Sequence, residues 1–488
     1  MNDTSSSPAP ASPAAFAAGC IDHAQLLQGW RELQRGGVLL ADVFAQSWQR
    51  AAWVLRNGRL HSGEARTEQG VGLRCVGEGC SALVNGADLD PASFEAALRG
   101  AQEALRSFPR RHRSPHSPRG VIHVAPGPAS RPTVLDPPDA RLAPEQVQAW
   151  LVGIEDGLRR EIPGVLDVEL ALRHEECRTL LVSPQGQPVA ERRRYTWLEL
   201  ELVATGRPDP VAVFRTLGWR AGSPTPQAAA LATFLSAFCE AVAQQREARP
   251  APAGPLPLVL GPGGPGLLMH EVIGHALEGD ALHKGISPFS GQLGRRIAAP
   301  CVQLVDDGTR AGAWGSLQCD DEGQPSRTTV LIENGRLRGG LHDQTSAMRM
   351  GVPHSANARR ASAASLPQPR MTNTCLLPGH ADPGEILASV QHGVYIAELA
   401  GGQANISTGT FTFESDQAFL IEHGRITAPL LGCTFTGTSR EVLRNVRLVG
   451  SDFAMDPGYG TCVKKGQRLH VGFGQPTVRV DGLTVGGR

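Results

Sequence analysis

The chain has 488 residues, too many for one core, and at roughly 100–200 residues per domain it predicts about two to four of them. Its 57 glycines and 37 prolines make up nearly a fifth of the sequence, against about 12% on average. They show no collagen period, so turns and short strands should be plentiful. Lys plus Arg equals Asp plus Glu at 47 each, and 41% of residues are hydrophobic; this excludes a global field for nucleic acid or an anionic membrane and leaves enough apolar surface for real cores.

No apolar run reaches the ~18–20 residues needed to cross a bilayer, and the first residues lack the basic and apolar parts of a signal peptide. Ten cysteines are scattered without framework spacing, which predicts reduced, mostly buried thiols and a cytoplasmic location. In chain order, 1–20 reads as a disordered Ser/Ala/Pro tail. A helix is predicted over 22–34, with Leu26, Leu27, Trp30 and Leu33 on one face and Gly36-Gly37 as its stop. Strands follow, turning at Asn57-Gly58. A second amphipathic helix over 91–106 completes an N-terminal α+β domain, 21–106.

The segment 107–143 is rich in Pro and Arg. A solvated linker fits it better than a nucleic-acid arm, because it offers no aromatic platform for bases. A central α/β region, 144–248, should hold a helix over 144–160, strands near 166–204 and a helix over 225–247. Prolines at 250, 252 and 255 mark the start of a β-rich region, 249–488. Within it Leu331-Ile-Glu-Asn-Gly-Arg-Leu and Leu420-Ile-Glu-His-Gly-Arg-Ile predict two related hairpins in one sheet system.

The chemistry concentrates after the apolar strand 256–260. The loop GPGGPG at 261–266 formally matches a dinucleotide fingerprint. Its two prolines and the lack of a return βαβ strand argue against a nucleotide, and no Gly-Lys-Ser/Thr follows to make a phosphate loop. The next residues are LLMHEVIGHALEGD, 267–280. Zinc peptidases present two imidazoles from one element beside a carboxylate that handles the proton of the attacking water. Here the pair is His270 and His275 with Glu271 between. A spacing of five places the histidines about 140° apart on a regular helix, so both reach one metal only if the helix is distorted. Gly274 is the expected weak point for a π-bulge or break. A third ligand is also needed, from Glu278, Asp280 or His283 nearby or from a distant thiolate. Cys462, in a Gly-rich turn with Lys464 and Lys465 expected to favour its thiolate, is such a group.

Two other clusters look metal-like. His174-Glu175-Glu176-Cys177 falls in an apparent strand, where neighbours point to opposite faces, and reads as surface. Asp306-Asp307 and Asp320-Asp321-Glu322 lack the spacing of a calcium loop and read as turn and hydrogen-bonding groups.

The stretch from His270 to Asp280 resembles the TldD branch of the TldD/PmbA metallopeptidase family, whose hallmark is H-E-x-x-x-H followed by L-E-G-D. Further matching phrases are Lys284-Gly-Ile-Ser-Pro-Phe-Ser-Gly-Gln, Pro369-Arg370-Met371-Thr372-Asn373-Thr374, Gly401-Gly402-Gln403 and Gly474-Gln475-Pro476-Thr477. They are dense over 256–488 and sparse before it. The resemblance implies an α+β fold, with an N-terminal α/β region and a β-rich C-terminal domain carrying the metal-site helix. It implies one Zn2+ held by His270, His275 and Cys462, with Glu271 as catalytic acid and base and Glu278 as a supporting group or helix-end anchor. It implies extended or unfolded peptides as substrates, including peptide precursors. It also implies a homodimer, or a heterodimer with a homologue lacking the motif; the balanced charge, for its part, predicts no nucleic-acid or membrane partner. Because both histidines are present, the chain reads as the catalytic subunit. Arg370, Asn373 and Gln403 are the candidate substrate contacts. The alternatives are a non-catalytic peptide-binding scaffold subunit and a relative repurposed for tailoring peptide natural products.

Overall fold

The computed structural model describes residues 16, 19–35, 38–108, 143–220 and 224–487. Nearly all of the predicted 1–20 tail, the Gly36-Gly37 stop and almost all of 107–143 lie outside these residues.

Helix α1, His23–Gln34, opens with a capping box: the Asp22 side chain accepts from the Gln25 N–H, and the Gln25 side chain accepts from the Asp22 N–H. Strands β1, Leu40–Arg56, and β2, Arg59–Gly77, form a hairpin at the predicted turn. Both turn residues are left-handed, Asn57 at φ 47° and Gly58 at φ 76°, the conformation that matches strand twist in a two-residue loop. Strand β3, Cys80–Gly86, and helix α2, Pro91–Arg106, follow; α2 is capped by the Asp90 carboxylate. Beyond residue 143 come α3 (Pro144–Glu161), β4 (Val165–Val182), β5 (Pro188–Ala204), β6 (Val211–Trp219) and α4 (Ala228–Glu247).

The six strands make one antiparallel sheet in the order β3-β2-β1-β4-β5-β6. The segments on either side of 107–143 therefore contribute three strands each, joined where β1 pairs with β4. Alternation along these long strands divides two environments. Val43, Leu73 and Leu180 pack with α1 and α2, while Leu55, Leu172 and Leu198 pack with α3 and α4. The opposite face meets the C-terminal half: Phe44 and Leu181 pack on Ala363, and Tyr195 and Trp197 on Trp314. Buried charges also cross here. Arg74 bridges Asp42 at 2.5 Å and Glu322 at 2.6 Å, and Arg360 reaches Asp42 at 2.8 Å. Each is paired, as burial of an ion requires.

The C-terminal half is built from two larger sheets. In one, strands Gly254–Leu260, His392–Ala404, Thr410–Glu422, Thr434–Thr438 and Val478–Gly486 each pair with two others of the set, so the ring closes into a barrel. The other is six-stranded, with Leu304–Asp307, Asn373–Leu376 and Gly472–Gln475 adjacent at its centre. The two similar hairpins form as expected, but one lies in each sheet, so their likeness is local turn chemistry and not membership of one sheet system. Asn334-Gly335 and His423-Gly424 are all left-handed. Among the described residues no helix is long and apolar enough to cross a membrane.

Candidate metal centre

The barrel strand Gly254–Leu260 runs through the glycine loop into Leu267–Met269, a helical turn. Leu268, Met269, Val272, Ile273, Ala276 and Leu277 are all buried in the C-terminal core. This segment is apolar on nearly every side because it runs through the core and does not lie on its surface. The expected distortion is present. Residues His270–Gly274 form a π-helical turn, with the His275 N–H donating to the His270 carbonyl, and His275–Leu277 tightens to a 3-10 turn. The wider turn brings residues five apart back towards one face, and the two imidazole centroids lie 5.3 Å apart.

Gly274 has ordinary right-handed helical torsions, φ −54° and ψ −55°. It is not a torsional weak point. A Cβ there would lie 2.1 Å from Met371 Sδ, so the glycine is needed for close packing of this turn against the neighbouring segment.

Cys462 arrives from 187 residues away on the two-stranded hairpin Thr461–Lys464 and Gln467–His470. Its Sγ lies 3.0 Å from His275 Nε2. One donor atom from each of His270, Glu271, His275 and Cys462 falls within 4.8 Å of the others, a cluster that can hold a divalent metal ion. Both imidazoles are oriented from behind. His270 Nδ1 lies 3.3 Å from Thr374 Oγ1, and His275 Nδ1 lies 3.1 Å from Glu278 Oε2. The Nε2 of His270 is buried without a hydrogen-bond partner, as a nitrogen reserved for a metal would be. Glu271 is the accessible member, with 23% of its side chain exposed, and its Oε2 is 3.7 Å from His275 Nε2.

The electrostatics suit a thiolate. Burial alone would push the Cys462 thiol up, but His270 and His275 bring it down to about 4. Burial would likewise hold His275 down, yet Glu278 and Cys462 raise it well above the ordinary imidazole value. Without metal the pair is a thiolate facing an imidazolium; a cation bound there takes the place of that proton. The lysines do something other than what the sequence suggested. Lys464 Nζ lies 2.8 Å from Glu278 and 2.7 Å from Asp280, and Lys465 Nζ lies 2.9 Å from Asp280, so neither is spent on the sulfur.

The structure thus brings together four of the seven predicted site residues. Arg370 is fully buried behind them. Its terminal nitrogens donate to the carbonyls of Cys462 and Gln467, so it holds the Cys462 hairpin. Asn373 is also fully buried, its amide bonded to the Gly315 N–H, the Asp307 carbonyl and Ser316 Oγ, which leaves it structural. Gln403 is exposed on a barrel strand opposite Thr412. Of the nearby ligand candidates, Glu278 supports His275, Asp280 pairs with the two lysines, and His283 is exposed. Sequence reasoning missed Thr374, which lies 104 residues from His270 with no local signal to connect them.

Both metal-like decoys are structural. Asp306 accepts from Thr372 and Asn357, and Asp320 accepts from the N–H groups of Glu322, Gln324 and Ala358. The 174–177 group lies on β4 as expected, but it is not surface. Glu176 is 1% exposed and holds Arg178, Arg192 and Arg194, while Cys177 is fully buried.

Two imidazoles and a carboxylate on a widened helical turn, joined by a thiol from a distant hairpin, match a zinc-binding motif of the HExxxH metallopeptidase type. Comparison with known proteins agrees. Residues 253–487 match the PmbA/TldA metallopeptidase C-terminal domain, and 41–107 match PmbA/TldA metallopeptidase domain 1. The chain is 34% identical over 453 residues to the metalloprotease TldD homolog of Haemophilus influenzae, with 92% of each chain covered. It is 30% identical over 481 residues to the homolog of Buchnera aphidicola from Schizaphis graminum, with 96% of each covered. Its fold is that of TldE from Thermococcus kodakarensis, with a TM-score of 0.74 at 18% identity over 95% of this chain and all of that one. The chain belongs to the TldD/PmbA metallopeptidase family.

Proposed function

We propose that the chain is a zinc-dependent peptidase that hydrolyses peptide bonds in extended or unfolded peptides, including precursors awaiting maturation. His270, His275 and Cys462 hold the ion, and Glu271 carries the proton. The observation that supports this most directly is the convergence of these four side chains within 4.8 Å, from elements 187 residues apart. Two nitrogens and a thiolate leave a tetrahedral ion one open position, as catalytic zinc sites do.

When bound, zinc supplies Lewis acidity, polarising a scissile carbonyl and easing deprotonation of water. The rest falls to the protein. Glu271, the exposed carboxylate of the four, accepts the water proton and returns it to the leaving amine. Thr374 and Glu278 fix the rings through their Nδ1 atoms, so that the two Nε2 atoms would be the ones to hold an ion. Among the described residues the hairpin carrying Cys462 has no third strand beside it, which suits main-chain pairing with an extended peptide and affinity with little sequence selectivity. Gln403, the predicted contact that is exposed, is our remaining candidate for touching the peptide. We further propose a cytoplasmic dimer, formed with a second copy or with a homologue lacking the motif.

The test compares zinc content and cleavage of an unstructured peptide for the wild type, Glu271→Gln and His270→Ala. Glu271→Gln should keep zinc and lose about 10²–10⁴-fold in turnover, because it removes a base and not a ligand. His270→Ala should lose both. Full zinc occupancy in His270→Ala, or normal turnover in Glu271→Gln, would overturn the assignment. A wild type that binds peptide but never cleaves it would favour the scaffold reading.

A further inference from the structure

The ligands lie on two elements with very different anchorage. His275 lies on a helical turn embedded in the core, whereas Cys462, buried in the same core, lies on a two-stranded hairpin that pairs with no other strand among the described residues. A two-stranded ribbon is marginal by itself, so the position of the sulfur must come from side chains that hold the hairpin to its surroundings. Cys462 and Lys464 are two apart on the strand and so face the same way, while Val463 between them is 63% exposed.

Lys464 crosses the gap with its side chain. Its Nζ lies 2.8 Å from Glu278 Oε2, the oxygen that also lies 3.1 Å from His275 Nδ1. It lies 2.7 Å from Asp280 Oδ1, and it donates to the Pro369 carbonyl at 3.3 Å. Arg370 makes a second crossing, donating to the Cys462 carbonyl at 2.8 Å with its Nε 3.8 Å from Glu278 Oε1. Glu278 is fully buried. It is thus one carboxylate that touches a ligand of the helical arm directly and reaches the ligand of the hairpin arm through two cations.

We infer that Glu278 and Lys464 act together as positioning residues that couple the His275 and Cys462 arms, so that the donor triangle is set before the metal arrives. The inference rests on the zinc reading above. Neither residue touches the ion; each acts through a ligand, Glu278 by fixing the His275 ring and Lys464 by fixing the Cys462 strand.

The experiment measures zinc affinity by competition with a chromophoric chelator, and the absorption of the cobalt-loaded protein, for Glu278→Gln, Lys464→Met, Lys464→Arg and the double variant Glu278→Gln/Lys464→Met. Melting of the metal-free proteins checks that each is folded. Each single neutralising change should weaken zinc by about 10–100-fold. The double should be little worse than either single, because the two act through one link. Lys464→Met should also shift the sulfur-to-cobalt charge-transfer band, and Lys464→Arg should recover part of the affinity. Unchanged affinity in the folded single variants would overturn the inference, and so would full additivity in the double. Failure of the wild type to bind zinc would instead overturn the zinc reading itself, so the two failures are distinguishable.

Discussion

Two short stretches of this chain carry histidine, glutamate and cysteine chemistry, and the structure treats them in opposite ways. His174-Glu175-Glu176-Cys177 lies on a straight strand in the middle of a sheet. Alternation sends Glu176 to one face, where Arg178, Arg192 and Arg194 engage it, and Glu175 and Cys177 to the other, where Arg50, Trp48 and His470 engage Glu175. His270 to His275 lies on a distorted helix, where a π turn returns both rings to one side and a distant thiol joins them. The two thiols record the difference. Burial pushes the Cys177 thiol up to about 12 against the weaker pull of Arg193 and Gln46, whereas two imidazoles outweigh burial and bring Cys462 down to about 4. Residue type supplies the donors, but backbone geometry decides whether they converge.

That contrast can be broken most strongly at the cysteines. Cys462→Ala should lower zinc affinity by orders of magnitude, since it removes a ligand, and Cys177→Ala should leave it unchanged while costing about 1 kcal/mol of stability. Metal analysis of both proteins after dialysis against a chelator checks this, and stoichiometric zinc in Cys462→Ala would end the three-ligand assignment.

A smaller effect is expected at the turn itself. Gly274→Ala puts a methyl into the space of Met371, so it should destabilise the fold by about 1–3 kcal/mol and weaken zinc. Shortening the neighbour in Gly274→Ala/Met371→Ala should restore part of both. If Gly274→Ala melts and binds zinc like the wild type, the close-packing account of this glycine is wrong.

The smallest effect concerns the strand cluster. Burial would raise Glu176, but Arg192, Arg178 and Arg194 lower its carboxyl from 4.5 to about 2. A folded value below the unfolded one means that its stabilisation is complete above about 4.5 and disappears as the pH falls towards 2. The denaturation midpoints of metal-free wild type and Glu176→Gln should therefore differ at neutral pH and converge on acidification through that window. A gap independent of pH would assign the difference to packing and not to charge.

Local signals in the sequence were reliable where the physics is local. The Asn57-Gly58 turn, the 91–106 helix and the need for distortion between His270 and His275 all follow from residues within a few positions of one another. The glycine at 274 was legible as special, but its reason was not, because Met371 lies almost a hundred residues away. Reading 174–177 as surface failed for the same cause: alternation was correct, but nothing local reveals that three arginines and a second half of the molecule cover those faces.

The abundance of glycine and proline pointed from the start to a turn-rich protein, and the HExxxH spacing located the chemistry. By itself the sequence determined the elements, their turns and the two histidines with their glutamate, since these depend on backbone torsions and on separations of a few residues. Only the tertiary structure decided how β1 and β4 make one sheet, that Thr374 lies behind His270, and that Lys464 faces Glu278 instead of the sulfur. Those pairings depend on which strands close the barrel and which hairpin docks against the helix, and contacts between residues about a hundred or more positions apart leave no periodicity to read.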